Sequence, residues 1–549
     1  MKSLLHSFNI MLIISLLVLS FSCAGSTDDE EKDEDDTQIE NNINATDNCE
    51  INSSLSDPYF NYQWHLDNTD DTDMDINVTS VWESGVYGCG IIVAVVDDGI
   101  QIDHEDLSDN MVNVLNYNYI NPSSTNVSGS GDCDTGNSCH GTSVAGVIAA
   151  RAHNEIGLRG AAGVARLAGL NMLYYFTDQN QYDAMSRNAE FIHISNNSWG
   201  PEDTVGRFTP SAALWQAGIL DGLNKGRNGK GTIYVWAAGN GANSYFDDGH
   251  IDNSNYDGYA NYYAVISIAA ITNNGRRAFY SEKGANVWVS TYSSGGTQEI
   301  ATTDVTGSSG YNPDYEYNLT SDNKYYTGFG GTSSAAPLAA GIIALMLERN
   351  NNLSWRDVKM ILAETAVAND TDDSDWTTNG AGYNINHKYG FGSIDATAAV
   401  SRASSWSNIG AEIVKSQDSN TLNESISDNN SAGLSNTVTV SSSGIGFIEY
   451  VAISVNIKHS SAGQLEISLV SPAGTESILS EKHSCYEDGF ESKCTYFDTT
   501  AGNIFTFGSA RHLGESANGD WKITVKDLEN GETGQLNSWL LKFYGRSSE

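Results

Sequence analysis

Apolar and polar positions follow two different patterns along this chain, and the change between them comes at about residue 404. In the first pattern, short apolar runs rich in β-branched residues alternate with segments of helical character. The predicted strands are Ile91–Val96, Ile192–Ser195, Ile233–Ala238 and Ala264–Ala269, and the predicted helices are His140–Arg151, Pro210–Lys225 and Ser333–Arg349. This alternation predicts an α/β domain over residues 53–404, in which helices cover both faces of a parallel sheet.

Residues 405–549 follow the second pattern, in which polar and apolar residues alternate. Ser416–Ser442 is rich in Ser, Asn and Asp and has no helical period. Alternating runs follow at Ala452–Ile457, Gln464–Val470 and Trp521–Lys526, and turns with Gly or Pro separate them. These features predict an all-β sandwich as the second domain.

The N-terminus has the features of an export signal. The apolar stretch Ile10–Leu19 is too short for a helix that spans a bilayer. Cys23 resembles the lipid-modified cysteine of a bacterial lipoprotein, so we expect residues 1–23 to be a lipoprotein signal and the mature chain to be anchored at the bacterial surface. The alternative is an ordinary signal peptide, a secreted protein and an incidental Cys23. Residues 24–52 contain the acidic run DDEEKDEDD and predict a disordered spacer.

The composition of the 549-residue chain excludes some classes of partner. The formal net charge of −41 argues against nucleic-acid binding and against electrostatic docking to anionic lipid. We therefore expect membrane contact only through a lipid anchor. The hydrophobic content of 40% supports a large core.

The cysteines indicate an oxidising compartment. Of the seven cysteines, an even number remains once Cys23 is set aside. The candidate pairs are Cys133 with Cys139, Cys485 with Cys494 and, by elimination, Cys49 with Cys89. The sequence alone does not decide among the possible connectivities.

Three short islands, far apart in the chain, contain candidate catalytic residues. Asp97 ends an apolar run in IIVAVVDDGI, His140 opens a helix in HGTSVAGVIAA, and Ser333 opens another in GTSSAAPLAAG. A serine hydroxyl needs an adjacent base, which the histidine can supply while the aspartate orients the ring. Each motif alone is a routine loop feature, but together they predict a serine-peptidase triad whose three groups touch. We expect Pro337 to be tolerated because the first helical turn loses no hydrogen bond there.

Asn240, in VWAAGNGA, directly follows a predicted strand. Its side-chain amide can donate to the oxyanion of a tetrahedral intermediate. The alternative is a common Asn-Gly turn, but the neighbouring triad favours the oxyanion role. The sequence does not support a cysteine protease, because no cysteine lies near Ser333. It does not support a metalloprotease of the HExxH type either, because the chain lacks that motif.

The chain resembles the kexin and furin branch of the subtilase family, the proprotein convertases. The resemblance lies in these motifs and in SWGPED, NYDGYANYYAVISIAA and LSWRDVK. The similarity extends from about Asp57 to Tyr544 and includes a C-terminal part like the P (Homo B) domain of that family. The resemblance implies a subtilisin-like α/β domain followed by a jelly-roll-like β-sandwich. It also implies the triad and the oxyanion donor named above.

The resemblance assigns a substrate-binding edge and a pocket for the residue before the scissile bond, P1. Ser198, Trp199 and Gly200 match the segment that pairs with an extended substrate. Asp203 and Asp257 match the two acids of the S1 pocket, where carboxylates would bind Arg or Lys. The alternative for either acid is a surface charge.

Selection at the more distant subsites departs from the family pattern. Asp98 matches an acid that favours a basic P2 residue, but Asn137 replaces the second acid of that subsite. Ser186 and the region of Arg207 stand where the family has the carboxylates that select Arg at P4. We therefore expect strong selection for Arg or Lys at P1, a weakened preference for a basic residue at P2 and little selectivity at P4.

Calcium is the expected cofactor, at two sites that the resemblance implies. The first site would use carboxylates and carbonyls of Asp57, Asp106, Arg151, Asn154, Ile156 and Leu158. The second site, beside S1, would use Asp203, Asp252 and Glu282. The third site of the family is degraded in this sequence, because Asn118 stands where an acid is expected. For any one acid, the alternative is a solvated loop charge.

The expected function is a calcium-dependent serine endopeptidase that cleaves proteins after Arg or Lys. The spacer 24–52 is too short for the family's N-terminal propeptide, so we expect folding unaided, or with help from the P-like domain or from a separate chaperone or inhibitor protein. One alternative is a noncatalytic surface adhesin on a subtilase scaffold, which the four intact catalytic residues argue against. Another is a broad degradative protease.

Overall fold

The computed structural model describes residues 39–41, 43, 49–69, 74–129, 139–242, 252–311, 319–320, 322–487 and 490–548. The chain forms two compact units, Met1–Ala45 and Thr46–Glu549, and every element below belongs to the second. The predicted signal segment, Cys133 and Asn137 lie outside the described residues. Among the described residues, no helix has the length and apolar character needed to cross a bilayer.

A six-stranded parallel sheet forms the centre of the first domain, in the strand order β2-β1-β3-β4-β5-β6. Its strands are β1 Ile92–Val96, β2 Arg166–Leu170, β3 Ile194–Asn197, β4 Ile233–Ala237, β5 Val265–Ile271 and β6 Val289–Tyr292. Every residue of these strands is buried, as expected for strands that are covered on both faces.

Seven helices surround or follow this sheet within the described residues. They are α1 Thr79–Glu83, α2 Cys139–Ala149, α3 Asp178–Ser186, α4 Ala213–Gly229, α5 Thr332–Arg349, α6 Trp355–Thr365 and α7 Ala396–Ser404. The backbone of α4 leaves the helical conformation at Gly226–Asn228. Short 3-10 helices lie at Phe60–Tyr62, Ser108–Asn110, Asn113–Leu115, Met172–Tyr175, Ser254–Tyr256, Ala462–Gln464 and Thr495–Phe497.

Side chains of β4 show how the helices cover the sheet. Alternate residues of a strand face opposite sides, so Tyr234 and Trp236 share one face. The Tyr234 hydroxyl donates to the Met185 carbonyl of α3, and the Trp236 ring meets Trp215 of α4 at 5.4 Å. Helix α5 packs along β3, β4, β5 and β6. The predicted α/β fold is therefore confirmed, and each predicted strand and helix is present with ends that differ by a few residues.

Two small antiparallel ribbons complete this domain. Strands β7 Ile300–Thr303 and β8 Tyr325–Phe329 form one, and β9 Thr377–Thr378 and β10 Asn384–Ile385 form the other. Strand β8 ends just before α5, so it delivers the chain to the start of the helix that carries Ser333.

The C-terminal part is an antiparallel β-sandwich, as predicted. One sheet has the order β11-β21-β14-β19, with β12 also paired to β21, and the other has the order β13-β20-β15-β16. The strands are β11 Ile413–Asp418, β12 Glu424–Ile426, β13 Asn430–Val440, β14 Phe447–His459, β15 Leu465–Val470, β16 Glu476–Ser480, β19 Asn503–Ser509, β20 Gly519–Asp527 and β21 Gly534–Arg546. A separate hairpin consists of β17 Cys485–Glu487 and β18 Phe490–Ser492.

The core of the sandwich includes side chains from the first domain. Phe208 and Tyr256, both buried, belong to the same apolar cluster as Phe505, Phe507 and Trp539. The two domains therefore share part of one core.

Two predicted disulfides are confirmed, Cys49–Cys89 and Cys485–Cys494. The third predicted pair, Cys133 with Cys139, includes a residue outside the described part of the chain.

Candidate active site

Asp97 and His140 form the hydrogen-bonded part of the predicted triad. Asp97 directly follows β1 and is fully buried, and His140 lies in the first turn of α2. The imidazole Nδ1 lies 2.9 Å from Asp97 Oδ1 and 3.0 Å from Oδ2. Because a carboxylate can only accept here, Nδ1 carries the proton and Nε2 remains for the substrate side. Burial lowers the pKa of His140, but the charges of Asp97 and Asp98 outweigh it and raise the pKa to about 9.

Asp98 contacts the backbone at the start of the histidine helix. Its Oδ2 accepts from the His140 amide at 3.2 Å, and its Oδ1 accepts from the Gly141 amide at 2.8 Å. Burial and the neighbouring charge of Asp97 raise the pKa of Asp98 to about 7. Gly141 leaves room for this contact, since a Cβ there would lie 3.1 Å from Asp98 Oδ1 and 2.0 Å from the Gly99 carbonyl oxygen. The sequence motif predicted a P2 subsite at Asp98 but did not predict this helix cap.

Ser333 lies in the first turn of α5, but its hydroxyl does not bond to the imidazole. Ser333 Oγ donates to the Ser198 carbonyl at 3.3 Å. The His140 ring contacts Phe329, the last residue of β8, with ring centroids 5.8 Å apart. The expectation that hydroxyl, imidazole and carboxylate touch is therefore met only for the last two.

Pro337 corrects one detail of the sequence interpretation. It lies beyond the first turn of α5, where a non-proline amide would donate to the Ser333 carbonyl four residues earlier. That carbonyl instead accepts the Ser198 hydroxyl at 3.1 Å. The expectation that no acceptor loses its partner was wrong, and the Ser198 side chain supplies the missing donor.

The side chain of Asn240 has a defined orientation. Its Oδ1 accepts from the Thr332 amide at 2.7 Å and from the Thr332 hydroxyl at 2.9 Å. A backbone amide can only donate, so the oxygen must face Thr332, and this directs Nδ2 elsewhere. The sequence did not predict that Thr332 orients the Asn240 side chain. The signal that could have indicated it is its position directly before the serine at the start of a helix.

Ser333, Asn240 and a group of acids line one cavity of ≈ 250 Å³. The predicted edge residues Ser198, Trp199 and Gly200 line it as well. Its carboxylates include Asp203, Asp252, Asp257 and Glu282. The structure therefore brings together the predicted nucleophile, the oxyanion donor, the substrate edge and the acids of S1.

Backbone amides hold these acids in place. Asp203 Oδ1 accepts from the Asn240 amide at 2.9 Å, and Glu282 Oε1 accepts from the Gly241 amide at 2.9 Å. Asp257 Oδ1 accepts from the Tyr259 amide at 2.7 Å. The Gly-Asn-Gly motif has a steric reason, because a Cβ at Gly241 would lie 2.1 Å from an Asp252 carboxylate oxygen.

The surroundings of these carboxylates oppose their ionisation. Burial raises the pKa of Asp257 to about 7 and that of Asp252 also to about 7. Burial and the charges of Asp252 and Asp203 raise the pKa of Glu282 well above its ordinary value. Partial desolvation of the Asp203 carboxylate in the cavity likewise raises its pKa. A cation in the cavity would relieve this penalty, so the acid cluster fits either a basic side chain or a metal ion.

The first predicted calcium site is less open. Asp57 and Asp106 converge on Asn154, whose amide donates to Asp57 Oδ1 at 3.1 Å and whose Nδ2 donates to Asp106 Oδ1 at 2.8 Å. However, Arg159 Nε lies 2.7 Å from Asp57 Oδ2 and already supplies a positive charge. The Leu158 amide donates to Asp106 Oδ2 at 3.0 Å. The described contacts therefore favour calcium at the second site over the first.

The remaining predicted residues take local roles. The Arg151 amide donates to the Asp106 carbonyl at 2.8 Å, and the Ile156 amide donates to Asn154 Oδ1 at 2.9 Å. Ser186 Oγ donates within its helix to the Tyr182 carbonyl at 3.0 Å. Asn118 Nδ2 donates to the Asn126 carbonyl at 2.6 Å.

Arg207 lines the S1 cavity but is directed towards the sandwich. Its Nη2 donates to the Tyr486 carbonyl at 2.9 Å.

A cluster of His483, Cys485 and Cys494 also brings three potential ligand atoms within 4.8 Å of one another. The disulfide between the two cysteines rules out thiolate ligation there.

Two family models match the chain in the order of its two domains. The one described as the subtilase family matches residues 88–392, and the one described as the proprotein convertase P-domain matches residues 448–543. Kexin from Saccharomyces cerevisiae is 33% identical over 510 residues, which are 90% of this chain and 57% of that protein. Proprotein convertase subtilisin/kexin type 7 from Mus musculus is 34% identical over 505 residues, 89% of this chain and 61% of that protein. The chain thus spans about three-fifths of the length of these curated relatives.

A solved structure shows the same arrangement. The serine protease of Aeromonas sobria, in complex with a chaperone, superposes with a TM-score of 0.80 and 25% identity, covering 90% of this chain and 96% of that one. The matched models, the shared fold and the order of the catalytic motifs agree. This chain belongs to the subtilase family, in its kexin and furin branch, with a P domain after the peptidase domain.

Proposed function

We propose that this chain is a serine endopeptidase that cleaves proteins after Arg or Lys. The observation that carries the proposal is the cavity in which Ser333, Asn240 and the acids Asp203 and Asp257 meet. A cluster of carboxylates next to a nucleophile selects a cationic side chain because pairing offsets the cost of removing each charge from water. We assign the peptidase domain to residues 53–404 and the P domain to residues 405–549.

Substrate binding begins at the edge formed by Ser198, Trp199 and Gly200. An extended peptide adds to this edge as a strand and places its P1 side chain in the acid cavity. Gly200 leaves room for that side chain, because a Cβ there would come within 3.2 Å of Asp257 Oδ2. Asp203 and Asp257 then pair with the guanidinium or ammonium group.

Acylation uses the groups described above. Ser333 Oγ turns from the Ser198 carbonyl, transfers its proton to His140 Nε2 and attacks the scissile carbonyl carbon. Asp97 holds the imidazolium that forms. Asn240 Nδ2 and the free amide of Ser333, in the first turn of α5, donate to the oxyanion. His140 next gives its proton to the leaving amine, and water repeats the sequence to hydrolyse the acyl-enzyme.

Calcium fits the cluster of Asp203, Asp252 and Glu282, because three carboxylates line the same cavity and burial opposes the ionisation of Asp252 and Glu282 unless a cation is near. When bound, the ion supplies charge that keeps the carboxylates ionised and the cavity wall in place. Asp203 would then serve both the ion and the P1 side chain.

A folding partner is part of the proposal. The Aeromonas sobria protease was solved with a chaperone. A chain with the same two-domain arrangement is expected to use a comparable helper protein. Anchoring at the bacterial surface through Cys23 stays a prediction of the sequence.

The test is cleavage-site profiling of the purified protein on a peptide library, with and without a calcium chelator, alongside labelling by a fluorophosphonate probe. We expect cleavage after Arg and Lys, loss of cleavage in chelator, and labelling that Ser333→Ala abolishes. Equal cleavage after Leu and Arg would contradict the P1 assignment and favour a degradative protease. Absence of labelling and cleavage, in folded calcium-loaded protein, would favour the noncatalytic adhesin.

A further inference from the structure

A hairpin of the sandwich lies against the wall of the acid cavity. The disulfide hairpin, residues 483–487 and 490–494, contains β17 and β18 and is closed by the Cys485–Cys494 bond. Cys485 and Cys494 are both buried. Its neighbour in the peptidase domain is the segment Thr204–Phe208, which follows Asp203.

Three contacts join the disulfide hairpin to two successive carbonyls of that segment. The Tyr486 amide donates to the Val205 carbonyl at 2.9 Å. His483 Nε2 lies 3.0 Å from the Gly206 carbonyl oxygen, and Cys485 Sγ contacts the same oxygen at 2.9 Å. The sandwich therefore fixes the outer side of both peptide units.

The inner side of the same segment holds an acid of the cavity. The Val205 amide donates to Asp252 Oδ2 at 3.2 Å, and the Gly206 amide donates to Asp252 Oδ1 at 2.5 Å. Gly206 has φ of 65°, a left-handed conformation that positions its amide and carbonyl for these two contacts. One short stretch of backbone thus connects the hairpin of one domain to a cavity carboxylate of the other.

Aromatic packing fixes the far end of the segment. The Phe208 ring lies 4.7 Å from the Tyr256 ring and 4.9 Å from the Phe505 ring, inside the core of the sandwich. The Tyr256 hydroxyl in turn lies 3.1 Å from His483 Nδ1. The segment is therefore held at its middle by the disulfide hairpin and at its end by the core.

We propose that the disulfide hairpin is a positioning element for Asp252, and that the Cys485–Cys494 bond thereby sets how tightly the acid cavity binds its cation. This inference rests on the proposed function for the identity of that cation. His483 and Cys485 act through Gly206 and do not touch the substrate. Groups that orient a metal ligand from behind commonly change metal affinity by about 10–100-fold when they are removed.

The test compares two double variants in the full chain that carries Ser333→Ala, so that self-cleavage does not interfere. One is Cys485→Ser with Cys494→Ser. The matched control is Cys49→Ser with Cys89→Ser, which removes the other described disulfide. Calcium affinity is measured by calorimetry, and amide hydrogen exchange is followed in Thr204–Phe208.

We expect the first pair of substitutions to weaken calcium binding about tenfold and to speed exchange at Val205 and Gly206. The control pair should leave both properties unchanged. In protein with an intact Ser333, KM for an Arg peptide should rise while kcat changes little, as expected for a loss of binding alone. Equal calcium affinity and equal exchange in the two variants would overturn the proposal.

Hydrogen exchange separates this inference from the proposed function. Unchanged exchange in Thr204–Phe208 refutes the positioning role whatever the cavity binds. Faster exchange in a protein that binds no calcium and does not cleave after Arg refutes the proposed function while supporting the link to Asp252. If the cysteine variant fails to fold, His483→Ala replaces it, and His483→Gln should restore part of the calcium affinity because its amide can still donate to Gly206.

Discussion

The charge environment of His140 sets the pH at which this site can act. The ring has Asp97 at Nδ1, and the Asp98 carboxylate caps the backbone of the same residue. Burial of the ring lowers the pKa of His140, but both negative charges favour the imidazolium and raise the pKa to about 9. A general base must be neutral, and the neutral fraction therefore grows as the pH rises towards that value.

Replacement of Asp98 by Asn tests this electrostatic effect. Removing the charge lowers the pKa of His140, so the acid limb of kcat/KM should move to lower pH by roughly 0.5–1 unit. Asn keeps an oxygen for one of the two amides that Asp98 caps. The measurement is a pH profile of kcat/KM on an Arg peptide. Asp257→Asn is the control, because it should raise KM without moving the limb, and an unmoved limb in Asp98→Asn would contradict the prediction.

At the scale of elements, two helix starts deliver the reactive groups. His140 lies in the first turn of helix α2 and Ser333 in the first turn of helix α5, and Gly141 beside the histidine leaves room for the Gly99 carbonyl oxygen. The sequence predicted both helices and the strand before Asp97, because period and motif are local properties. It did not predict the Asp98 cap, the Ser198 contacts or the Arg159 pair with Asp57. Those contacts join residues that are distant in sequence, and their geometry depends on the packed fold.

The link between Ser198 and Pro337 can be measured as a coupling energy. Ser198→Ala removes the donor of the Ser333 carbonyl, and Pro337 has no amide to replace it, so we expect a loss of about 1–3 kcal/mol in the free energy of unfolding. In a Pro337→Ala background, the new amide can satisfy that carbonyl. The Ser198→Ala loss should then shrink by about 1 kcal/mol.

Denaturant unfolding of the four proteins in this cycle gives the coupling. The bond from Asn196 Nδ2 to Ser198 Oγ, at 3.0 Å, is lost in both backgrounds and cancels. Equal losses in the two backgrounds would show that the proline and the serine act independently.

At the scale of the whole molecule, the peptidase and P domains are joined through their cores and their charges. Tyr263 stacks on Tyr544 with ring centroids 3.7 Å apart. Arg356 Nε lies 2.7 Å from Glu449 Oε2, and both side chains are largely buried. Contacts of this kind bury apolar rings and pair charges across the boundary, so neither domain is expected to unfold alone.

Phe208→Ala tests this shared core. The ring belongs to the peptidase domain but lies in the sandwich cluster, so its removal should cost about 3–5 kcal/mol. We expect a lower Tm and a single calorimetric transition. Phe279→Ala, at a ring that is 57% exposed, should leave Tm unchanged. Two separated transitions in the Phe208 variant would show that the domains fold independently.

Calcium should stabilise the whole chain through the acid cavity, and Glu282→Gln isolates that effect. Without the ion, the raised pKa of Glu282 favours its neutral form, which Gln imitates while still accepting from the Gly241 amide. The Tm in chelator should therefore not fall below that of the unmodified chain. With calcium, the variant lacks one anionic ligand, so the increase in Tm that the ion produces should shrink, in proportion to the logarithm of the lost affinity. Calorimetry at several calcium concentrations measures the Tm in chelator and the increase in Tm with calcium. If that increase is as large in Glu282→Gln as in the unmodified chain, the stabilising ion binds elsewhere, and Asp106→Asn would then be the variant that abolishes the increase.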